Sequence, residues 1–287
     1  MNTHKLAIVV LTHNRRQEIL GTLERLAGLA PVPICVVDNG SGDGTASAVA
    51  RGFPQVRILR LEANLGAAGR NYGVRQMDAS YIAFCDDDSW WEPESLMRAG
   101  EILDQYPRLA AVTARVLVGP ENREDPTSAL MAASPLPNLL GIPGAELAGF
   151  MAGACVMRRS AFLAAGGYEP RFFIGGEERL LALDLLAAGW HLGYIPELVV
   201  HHHPSRQRDA SGRRRLLLRN ALWCAWLRRP LGGAWQETRR WLAGVRDDPE
   251  LLAGALAALS GLPWVLQNRR PLPAHVELRL RLLEKGG

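Results

Sequence analysis

The amino-acid sequence predicts an α/β fold, with a sheet of right-handed crossover units followed by a helical segment. The first observation is that residues 6–11 and 33–37 are short β-branched runs that end at polar residues, a pattern typical of buried parallel strands. The second is that residues 16–29, between them, carry apolar side chains at helical spacing. The order strand, helix, strand indicates a right-handed crossover. The third is a change of composition near residue 205, where the chain becomes rich in Arg and Trp.

The next elements repeat this order. Residues 56–59 and 81–84 are predicted strands, and residues 67–77 are predicted to form the helix between them. Ligands of such sheets gather at the carboxyl ends of the strands, so we expect the loops there to meet at one crevice. The loops concerned are residues 12–15, 38–44 and 85–89.

The second half of the chain gives weaker signals. Residues 108–118 are a predicted strand, whereas residues 119–144 are rich in Pro, Gly, Ser and Asn without clear periodicity, which favours a mobile loop that contacts substrate. A helix is predicted over about residues 177–188. We place a domain boundary at residue 205, which divides a first domain (1–205) from a helical C-terminal extension (206–287).

The composition excludes several classes of protein. The chain has 287 residues, of which 48% are hydrophobic and 22% charged, so it can bury a full core and is neither a peptide hormone nor a disordered or fibrous chain. Its four cysteines stand far apart without a C-x-x-C pair, which excludes a disulfide scaffold and favours the reducing cytoplasm. We expect no signal peptide at the start. Residues 251–267 are apolar but contain Pro263 and fall short of the roughly 20 residues that a membrane-spanning helix needs.

Three adjacent carboxylates, Asp86, Asp87 and Asp88, directly follow the predicted strand 81–84. They repel one another, and at a strand end a bound hard cation is a favourable compensation. Alternate side chains of an extended segment share a side, so Asp86 and Asp88 would face one ion, and Mg²⁺ or Mn²⁺ would suit their oxygens. The alternative is an acidic helix start.

Seven short motifs follow one another between residues 6 and 205. They are VVLTHNR (9–15), VVDNGSGDG (36–44), NLGAAGRNYGV (64–74), FCDDD (84–88), GACVMRRSAFLAAGGYEPRFF (153–173), GEE (176–178) and AGWHLGYIPELVVHHH (188–203). In this order they resemble glycosyltransferase family 2. The resemblance implies an A-type glycosyltransferase fold, which is a mixed sheet flanked by helices, and an inverting transfer of a sugar from a nucleotide-diphosphate donor.

The resemblance also implies roles for the crevice residues. Asp88 would be the direct metal ligand, with Asp86 nearer the ribose or a metal-bound water. Asp38 could accept a hydrogen bond from a base NH or a ribose hydroxyl, although a local turn explains it as well. Arg70 would reach ribose or phosphate, the alternative being a solvated surface cation. Contacts with the nucleotide sugar are expected from Thr12, His13, Asn14, Arg15, Asp38, Asn64, Arg70, Asn71, Asp86 and Asp87.

An acidic pair, Glu177 and Glu178, opens the predicted helix 177–188. In the family the second acid of such a pair removes the proton of the acceptor hydroxyl, which implies that Glu178 is the catalytic base and that Glu177 contacts acceptor or diphosphate. Two departures from the family pattern are that Glu replaces the usual Asp and that Leu180 stands where a second Asp often lies. The alternative is an acidic first helical turn.

Other candidates flank these motifs. Three histidines, residues 201–203, close a strand, and the alignment favours His202 as a metal ligand, with a structural or diphosphate contact as the alternative. Arg206 and Arg208 would clamp the leaving diphosphate. Trp90 and Trp91 would stack on acceptor sugars, or else pack at a helix start.

The sequence therefore predicts a Mg²⁺- or Mn²⁺-dependent inverting glycosyltransferase with a UDP- or dTDP-sugar donor and a glycan or lipid-linked acceptor, with a lean towards rhamnosyl transfer. A sugar nucleotidyltransferase and a non-catalytic sugar-nucleotide-binding scaffold are the alternatives. The Arg- and Trp-rich extension would either rest on the inner membrane face or pack on the first domain or a homodimer partner. Nucleic acid is not an expected partner, because the basic residues lack a recognised reader motif.

Overall fold

The computed structural model describes residues 5–28, 31–205, 212–245 and 248–286. The strands are β1 (Leu6–Thr12), β2 (Ile34–Asp38), β3 (Arg57–Arg60), β4 (Tyr81–Asp86), β5 (Ser89–Trp91), β6 (Leu109–Val118), β7 (Arg123–Glu124), β8 (Ala145–Leu147), β9 (Cys155–Arg158) and β10 (His191–His202). The helices are α1 (Arg16–Leu26), α2 (Thr45–Gly52), α3 (Gly69–Gln76), α4 (Pro93–Gln105), α5 (Pro126–Ala132), α6 (Arg159–Ala164), α7 (Glu177–Ala187), α8 (Arg213–Arg228), α9 (Leu231–Leu242), α10 (Pro249–Ser260), α11 (Leu262–Gln267) and α12 (Ala274–Gly286).

These strands form one mixed sheet in the order β3-β2-β1-β4-β9-β6-β10-β5, with β7 on β6 and β8 on β10. The first four are mutually parallel, as the buried apolar runs predict. β9 runs antiparallel to both β4 and β6, whereas β6 and β10 are parallel. The predicted mixed sheet is confirmed, and the carboxyl ends of β1, β2 and β4 lie at one edge.

Helices cover both faces of the sheet because its strands are apolar on both sides. On one face Ile8, Val10 and Val36 pack with α1, α2 and α4. On the other, Val9, Val37 and Phe84 pack with α3, α6 and α7, and this core continues into the C-terminal helix α8. The helices thus hold the strand ends in place. The loops that follow the strands lie at the surface and contain the polar groups.

The expected irregular loop over residues 119–144 is corrected by the structure, because this segment contains β7 and α5. Asp125 caps α5 by accepting a hydrogen bond from Thr127 N (2.8 Å), and Pro126 occupies the first helical turn. Ser128 Oγ accepts from Val116 N on β6 (3.0 Å). A seven-residue helix is too short to show a periodic apolar pattern, which explains why the sequence suggested a loop.

The chain after residue 211 forms helices that pack on one another and on α7. Buried Leu218, Leu222 and Trp223 of α8 belong to the same apolar core as Leu181 of α7. Buried Arg229 forms ion pairs with Glu277 of α12 (2.8 Å) and Glu237 of α9 (3.3 Å). In the residue ranges given above, no helix is long and apolar enough to cross a membrane.

Candidate active site

The loops that follow β1 and β2 meet, as predicted, and hydrogen bonds join them. His13 Nδ1 lies 2.9 Å from the carbonyl oxygen of Asn39, and Asn14 N donates to Ser41 Oγ (2.9 Å). The Asn14 side chain accepts from Gly42 N (2.8 Å), while its φ of 53° places it in the left-handed region that asparagine tolerates. Thr12 is buried beside this junction. The rim of the crevice is therefore built from both loops at once.

Asp38 is fully buried at the end of β2. Its Oδ1 accepts a hydrogen bond from Ser41 N (2.9 Å), as the turn alternative predicts. Its Oδ2 lies 4.0 Å from Arg60 Nε but accepts no hydrogen bond from a described residue. A buried carboxylate oxygen without a donor is costly, and an N–H or hydroxyl group of a ligand would satisfy it.

Arg70, in the first turn of α3, is buried and donates a hydrogen bond to Asp86 Oδ1. Its Nε has no hydrogen-bond partner in the described part of the chain. The alternative of a solvated surface cation is therefore wrong for this residue. Arg70 instead fixes one oxygen of Asp86 at the carboxyl end of β4.

Two residues that the sequence predicts to contact the nucleotide, Asn71 and Asn64, form hydrogen bonds that hold loops together. The amide of Asn71 donates to the carbonyl of Tyr168 (2.8 Å) and accepts from its N–H (2.9 Å). The buried amide of Asn71 therefore holds the backbone at Tyr168, and its predicted contact with the nucleotide stays a prediction. Asn64 Oδ1 accepts from Asn39 Nδ2 (2.8 Å) and Gly66 N (2.9 Å), so it ties the loop before α3 to the loop after β2.

The acidic triad is split between two basic side chains. Asp86, whose side chain is 45% exposed, pairs with Arg70, whereas Arg15 Nη1 donates to Asp87 Oδ1 (3.0 Å) and Asp88 Oδ2 (3.2 Å). Burial raises the pKa of Asp87 to about 7, and the neighbouring carboxylates add to this rise against the opposing charge of Arg15. The alternative of an acidic helix start does not hold, because β5 follows the triad and α4 begins only at Pro93.

Of the three histidines, His202 contacts the triad. Its Nε2 lies 3.4 Å from Asp88 Oδ1, and Ser205 N donates to Asp88 Oδ2 (3.3 Å). Burial alone would raise the pKa of Asp88, but the contacts with His202 and Ser205 bring it below its ordinary value. His201 and His203 pack on the Trp90 ring instead, with ring centroids 5.4 and 4.8 Å away. Because successive side chains of an extended segment point to opposite faces, His201 and His203 lie on the other side from His202.

The triad and His202 offer the oxygen and imidazole donors that Mg²⁺ or Mn²⁺ accepts. Among the described residues, no three His, Cys, Asp or Glu side chains are gathered as a preformed metal cluster. Mg²⁺ is commonly held by one or two carboxylates together with substrate phosphates. Asp86 is exposed towards a cleft that His202 also lines, so the donor set fits an ion that arrives with a phosphorylated ligand.

That cleft has a volume of about 340 Å³. Glu178 lines it from the first turn of α7, opposite the strand ends that carry Asp86 and His202. Its Oε1 accepts a hydrogen bond from Ala152 N (3.0 Å). Burial raises the pKa of Glu178 to about 7, and the charge of Glu177 adds to the rise, whereas the Ala152 N–H and Arg70 oppose it. A carboxylate with such a pKa can take up a proton near neutral pH.

Glu177 is buried beside Glu178, and burial raises its pKa as well. Its Oε2 finds no hydrogen-bond partner within the described ranges. The acidic pair thus opens α7, as the alternative of an acidic first turn predicts, and also places one carboxylate at the cleft.

The two tryptophans lie on β5 and not at a helix start. Trp91 is 1% exposed and donates from its indole to the carbonyl of Phe84 (3.2 Å), so its predicted acceptor contact is corrected to a core position. Trp90 is covered by the two histidines and by Arg25, whose guanidinium lies 4.2 Å from the ring centroid. Arg206 and Arg208 lie outside the described residues.

The segment 150–154 lines the cleft but was not a predicted site. Besides the hydrogen bond of Ala152, Gly153 lies so close to Asp86 that a β-carbon there would come within 2.5 Å of Asp86 Oδ2. The signal in the sequence was the glycine between two alanines (AGA, 152–154), of which the resemblance included Gly153 and Ala154 without a role.

The sheet order and the cleft at the carboxyl ends of its strands define a glycosyltransferase of the A-type fold. The chain belongs to glycosyl transferase family 2, whose profile matches residues 7–164, more than half of its length. The predicted family and fold are thereby confirmed.

One relative by sequence and two solved structures are similar to this chain. An N-acetylglucosaminyl-diphospho-decaprenol L-rhamnosyltransferase of Mycobacterium tuberculosis is 27% identical over 83% of this chain and 89% of its own. Among solved structures, GalNAc-T7 with UDP, GalNAc and Mn²⁺ superimposes with a TM-score of 0.65 at 13% identity, over 92% of this chain and 54% of that one. Staphylococcus aureus TarS 1–349 in complex with UDP gives 0.60 at 17% identity, over 91% and 77%.

Proposed function

We propose that this protein transfers a sugar from a nucleotide-diphosphate donor to a hydroxyl acceptor, with inversion and with the help of a divalent metal ion. The observation that carries the proposal is that Asp86, His202 and Glu178 line one cleft, which brings candidate metal-binding groups and a candidate base to the same space. The solved relatives with UDP support a nucleotide sugar as donor.

Asp86, Asp88 and His202 would hold the metal, and Asp88 is our choice for the direct ligand. When bound, Mg²⁺ or Mn²⁺ offsets the negative charge of a leaving diphosphate. The Mn²⁺ in the GalNAc-T7 structure supports a divalent metal ion as the cofactor. Arg70 pairs with Asp86, and Arg15 pairs with Asp87 and Asp88, so positive charge faces the triad from the protein side.

Glu178 acts as the general base. The acceptor oxygen forms a bond to the anomeric carbon, the bond from that carbon to the donor diphosphate breaks, and the acceptor proton passes to Glu178. A single displacement of this kind inverts the anomeric centre. The Ala152 N–H holds one oxygen of Glu178, which leaves the other for the acceptor hydroxyl.

The base and ribose of the donor lie at the loops after β1 and β2. Asp38 Oδ2, the buried oxygen without a donor, would accept the N–H of a uracil or thymine base. We propose a UDP- or dTDP-sugar, and the rhamnosyltransferase relative favours a rhamnosyl group.

The same relative acts, by its name, on a diphospho-decaprenol, and we propose a lipid-linked acceptor here in cell-surface glycan synthesis. Residues 212–286 contain fourteen Lys and Arg against six Asp and Glu. Large side chains of α10 and α11 are 40–62% exposed, and they are Leu252, Leu256, Leu259, Leu262 and Leu266. Exposed leucines in an extension with an excess of cations suit an anionic membrane face, where the acceptor would be anchored.

Product analysis tests the reaction. The purified chain is incubated with UDP- and dTDP-sugars and a prenyl-diphosphate-linked N-acetylglucosamine, with Mn²⁺, Mg²⁺ or a chelator. We expect metal-dependent release of nucleoside diphosphate and a glycosylated acceptor in which the anomeric centre of the transferred sugar is inverted. Release of inorganic diphosphate would indicate a nucleotidyltransferase, and donor binding without turnover would indicate a scaffold.

Vesicle flotation tests the membrane contact. We expect binding to vesicles that contain phosphatidylglycerol and weaker binding to neutral vesicles, with a loss in the double variant Leu256→Ser, Leu259→Ser. Concentration-dependent dimers that lack vesicle binding would instead favour the homodimer alternative.

A further inference from the structure

The segment that leads into the acidic pair, Phe172–Gly176, has an unusual backbone; we name it the base loop. Phe173 has a φ of 61°, which is rare for an aromatic residue, and Gly175 and Gly176 have φ of 85° and 92°. Gly176 stands at the N-terminal cap of α7 and has no side chain to hold the helix end. Contacts from elsewhere must therefore fix the position of Glu178.

Asn220 of α8 supplies such contacts from the C-terminal extension. It is 0% exposed, and its Nδ2 lies 2.8, 3.1 and 2.6 Å from the carbonyl oxygens of Phe172, Ile174 and Gly175. One amide thus binds most of the base loop. Phe172 O also accepts from Ile174 N (2.8 Å) and from Arg219 Nη2 (3.1 Å), whereas the amide of Asn220 supplies a donor to the carbonyls of Ile174 and Gly175.

Arg219 supports the same arrangement. Its Nη2 donates to the carbonyl oxygens of Arg171 (3.0 Å) and Phe172 (3.1 Å), and its Nε donates to Asn220 Oδ1 (2.9 Å). The guanidinium therefore orients the Asn220 amide so that its N–H groups point to the loop.

The base loop is also fixed on its opposite side. Ala67 N, in the turn before α3, donates to the carbonyl oxygen of Phe173 (2.7 Å). Gly66 lies so close to the same carbonyl that a β-carbon could not be accommodated. The loop is thus held between the helix that carries Arg70 and the C-terminal helix α8.

Ion pairs join the rest of α7 to the extension. Arg179, next to Glu178, donates to Glu237 Oε2 of α9 (2.9 Å), and Arg228 of α8 donates to Asp184 Oδ2 (3.0 Å). Both pairs restrain the helix whose first turn carries the base.

We propose that Asn220, oriented by Arg219, is a positioning residue that sets the backbone of the base loop and so places the Glu178 carboxylate in the cleft. The C-terminal extension then forms part of the catalytic apparatus. This inference rests on the proposed function, since it assumes that Glu178 is the base.

The variant Asn220→Leu tests the proposal because leucine keeps the volume but removes the donors. We expect kcat to fall about 10- to 100-fold, since small displacements of a reacting group have effects of this size. The KM for the donor and the Kd for UDP should stay within about twofold of wild type. Asn268→Leu is the matched control and should leave kcat unchanged. Within the described ranges, the Asn268 side chain hydrogen-bonds only to the nearby carbonyl of Trp264 (2.9 Å).

Hydrogen exchange of the amides in residues 172–180 gives a readout that does not depend on turnover. We expect faster exchange there in Asn220→Leu and in Arg219→Met, with the sheet strands unchanged. A folded Asn220→Leu with wild-type kcat and wild-type exchange would overturn the proposal, as would an equal loss of UDP binding and of global stability. If Asn220→Leu does not fold, Arg219→Met decides by the same two measurements. If the wild type transfers no sugar, the proposed function fails, while the exchange result still decides whether Asn220 holds the loop.

Discussion

Glu178 occupies a place that is unfavourable for its charge, and this has consequences for both rate and stability. The Glu178 residue is half-buried, next to the buried Glu177, and burial raises its pKa to about 7. The single N–H of Ala152 offsets only part of this cost. Such an arrangement is typical of a group kept for chemistry.

The rate of transfer should follow the titration of Glu178. The base must be deprotonated, so we expect kcat to rise with pH and to reach half its plateau near pH 7. Glu178→Gln should lower kcat by about 10²- to 10⁴-fold. The control is Glu94→Gln, an exposed residue of α4, which should behave as wild type. A Glu178→Gln enzyme with normal turnover would refute the assignment.

The same substitution should stabilise the fold at high pH. Because the pKa of Glu178 is higher in the folded protein than its ordinary value of 4.5, the stability it contributes is complete below pH 4.5 and is lost as the pH rises to about 7. Glutamine has no such loss, so the Tm of Glu178→Gln at pH 8 should exceed that of wild type by a few degrees, and the gain should vanish near pH 4. Scanning calorimetry at the two pH values measures it.

Asp88 should control the response to metal. We expect Asp88→Asn to reduce turnover by about 100-fold or more and to abolish the Mn²⁺-dependent gain in UDP affinity, because an amide is a weaker ligand than a carboxylate. Asp78→Asn, an exposed residue after α3, is the control. Titration calorimetry with UDP, with and without Mn²⁺, compares the two variants. An unchanged Mn²⁺ effect in Asp88→Asn would contradict the prediction.

Residue types and spacing were sufficient to predict that Asp86 lies at the cleft, because the carboxyl ends of buried strands converge by topology, whereas the place of Glu178 was expected from the family resemblance. They were insufficient for residues whose partners are distant in sequence. Asn71 looked like a ligand contact, but its partner Tyr168 is 97 residues away. Asn220 lies on the buried face of α8, where its polarity among apolar neighbours was the only signal of a specific role.

The helix α3 depends on close contact with the sheet. A β-carbon at Gly73 would come within 2.6 Å of Val9 Cγ1 and 2.8 Å of Val37 Cγ2. We therefore expect Gly73→Ala to lower the free energy of unfolding by about 1–3 kcal/mol, despite the better helix propensity of alanine. Gly232→Ala in α9 meets no atom within 4 Å and should be neutral or stabilising by up to about 1 kcal/mol. Urea unfolding of both variants measures the difference.

At the level of elements, the continuous buried strands and the four-residue β3 were predictable, whereas the two- and three-residue strands were not. β1, β2 and β4 are continuous apolar runs that are buried on both faces. β5 and β7 have three and two residues, and their pairing depends on β10 and β6, which lie far along the chain. The same holds for α5, whose capping residues are recognisable only once its position is known.

The molecule as a whole shares one core between the sheet and the C-terminal helices. Leu181 and Leu185 of α7 pack in the same cluster as Leu218 and Trp223 of α8. The boundary at residue 205 stays a prediction, but we expect a chain cut after residue 205 to lack cooperative unfolding and to aggregate, because the face of α7 would be uncovered. Size-exclusion chromatography and a thermal melt check this, and a monomeric fragment with a sharp melt would contradict it.

The position of β9 affects how the chain folds during synthesis. β4 ends at residue 86, but β9, which covers its open edge, begins only at residue 155. At about 5–20 residues per second, a ribosome needs roughly 3–14 s to make the intervening segment. During this interval the nascent half-sheet exposes an unpaired edge to other chains. We therefore expect newly made protein to need chaperone protection at this stage, and slower translation between these strands to lower the soluble yield.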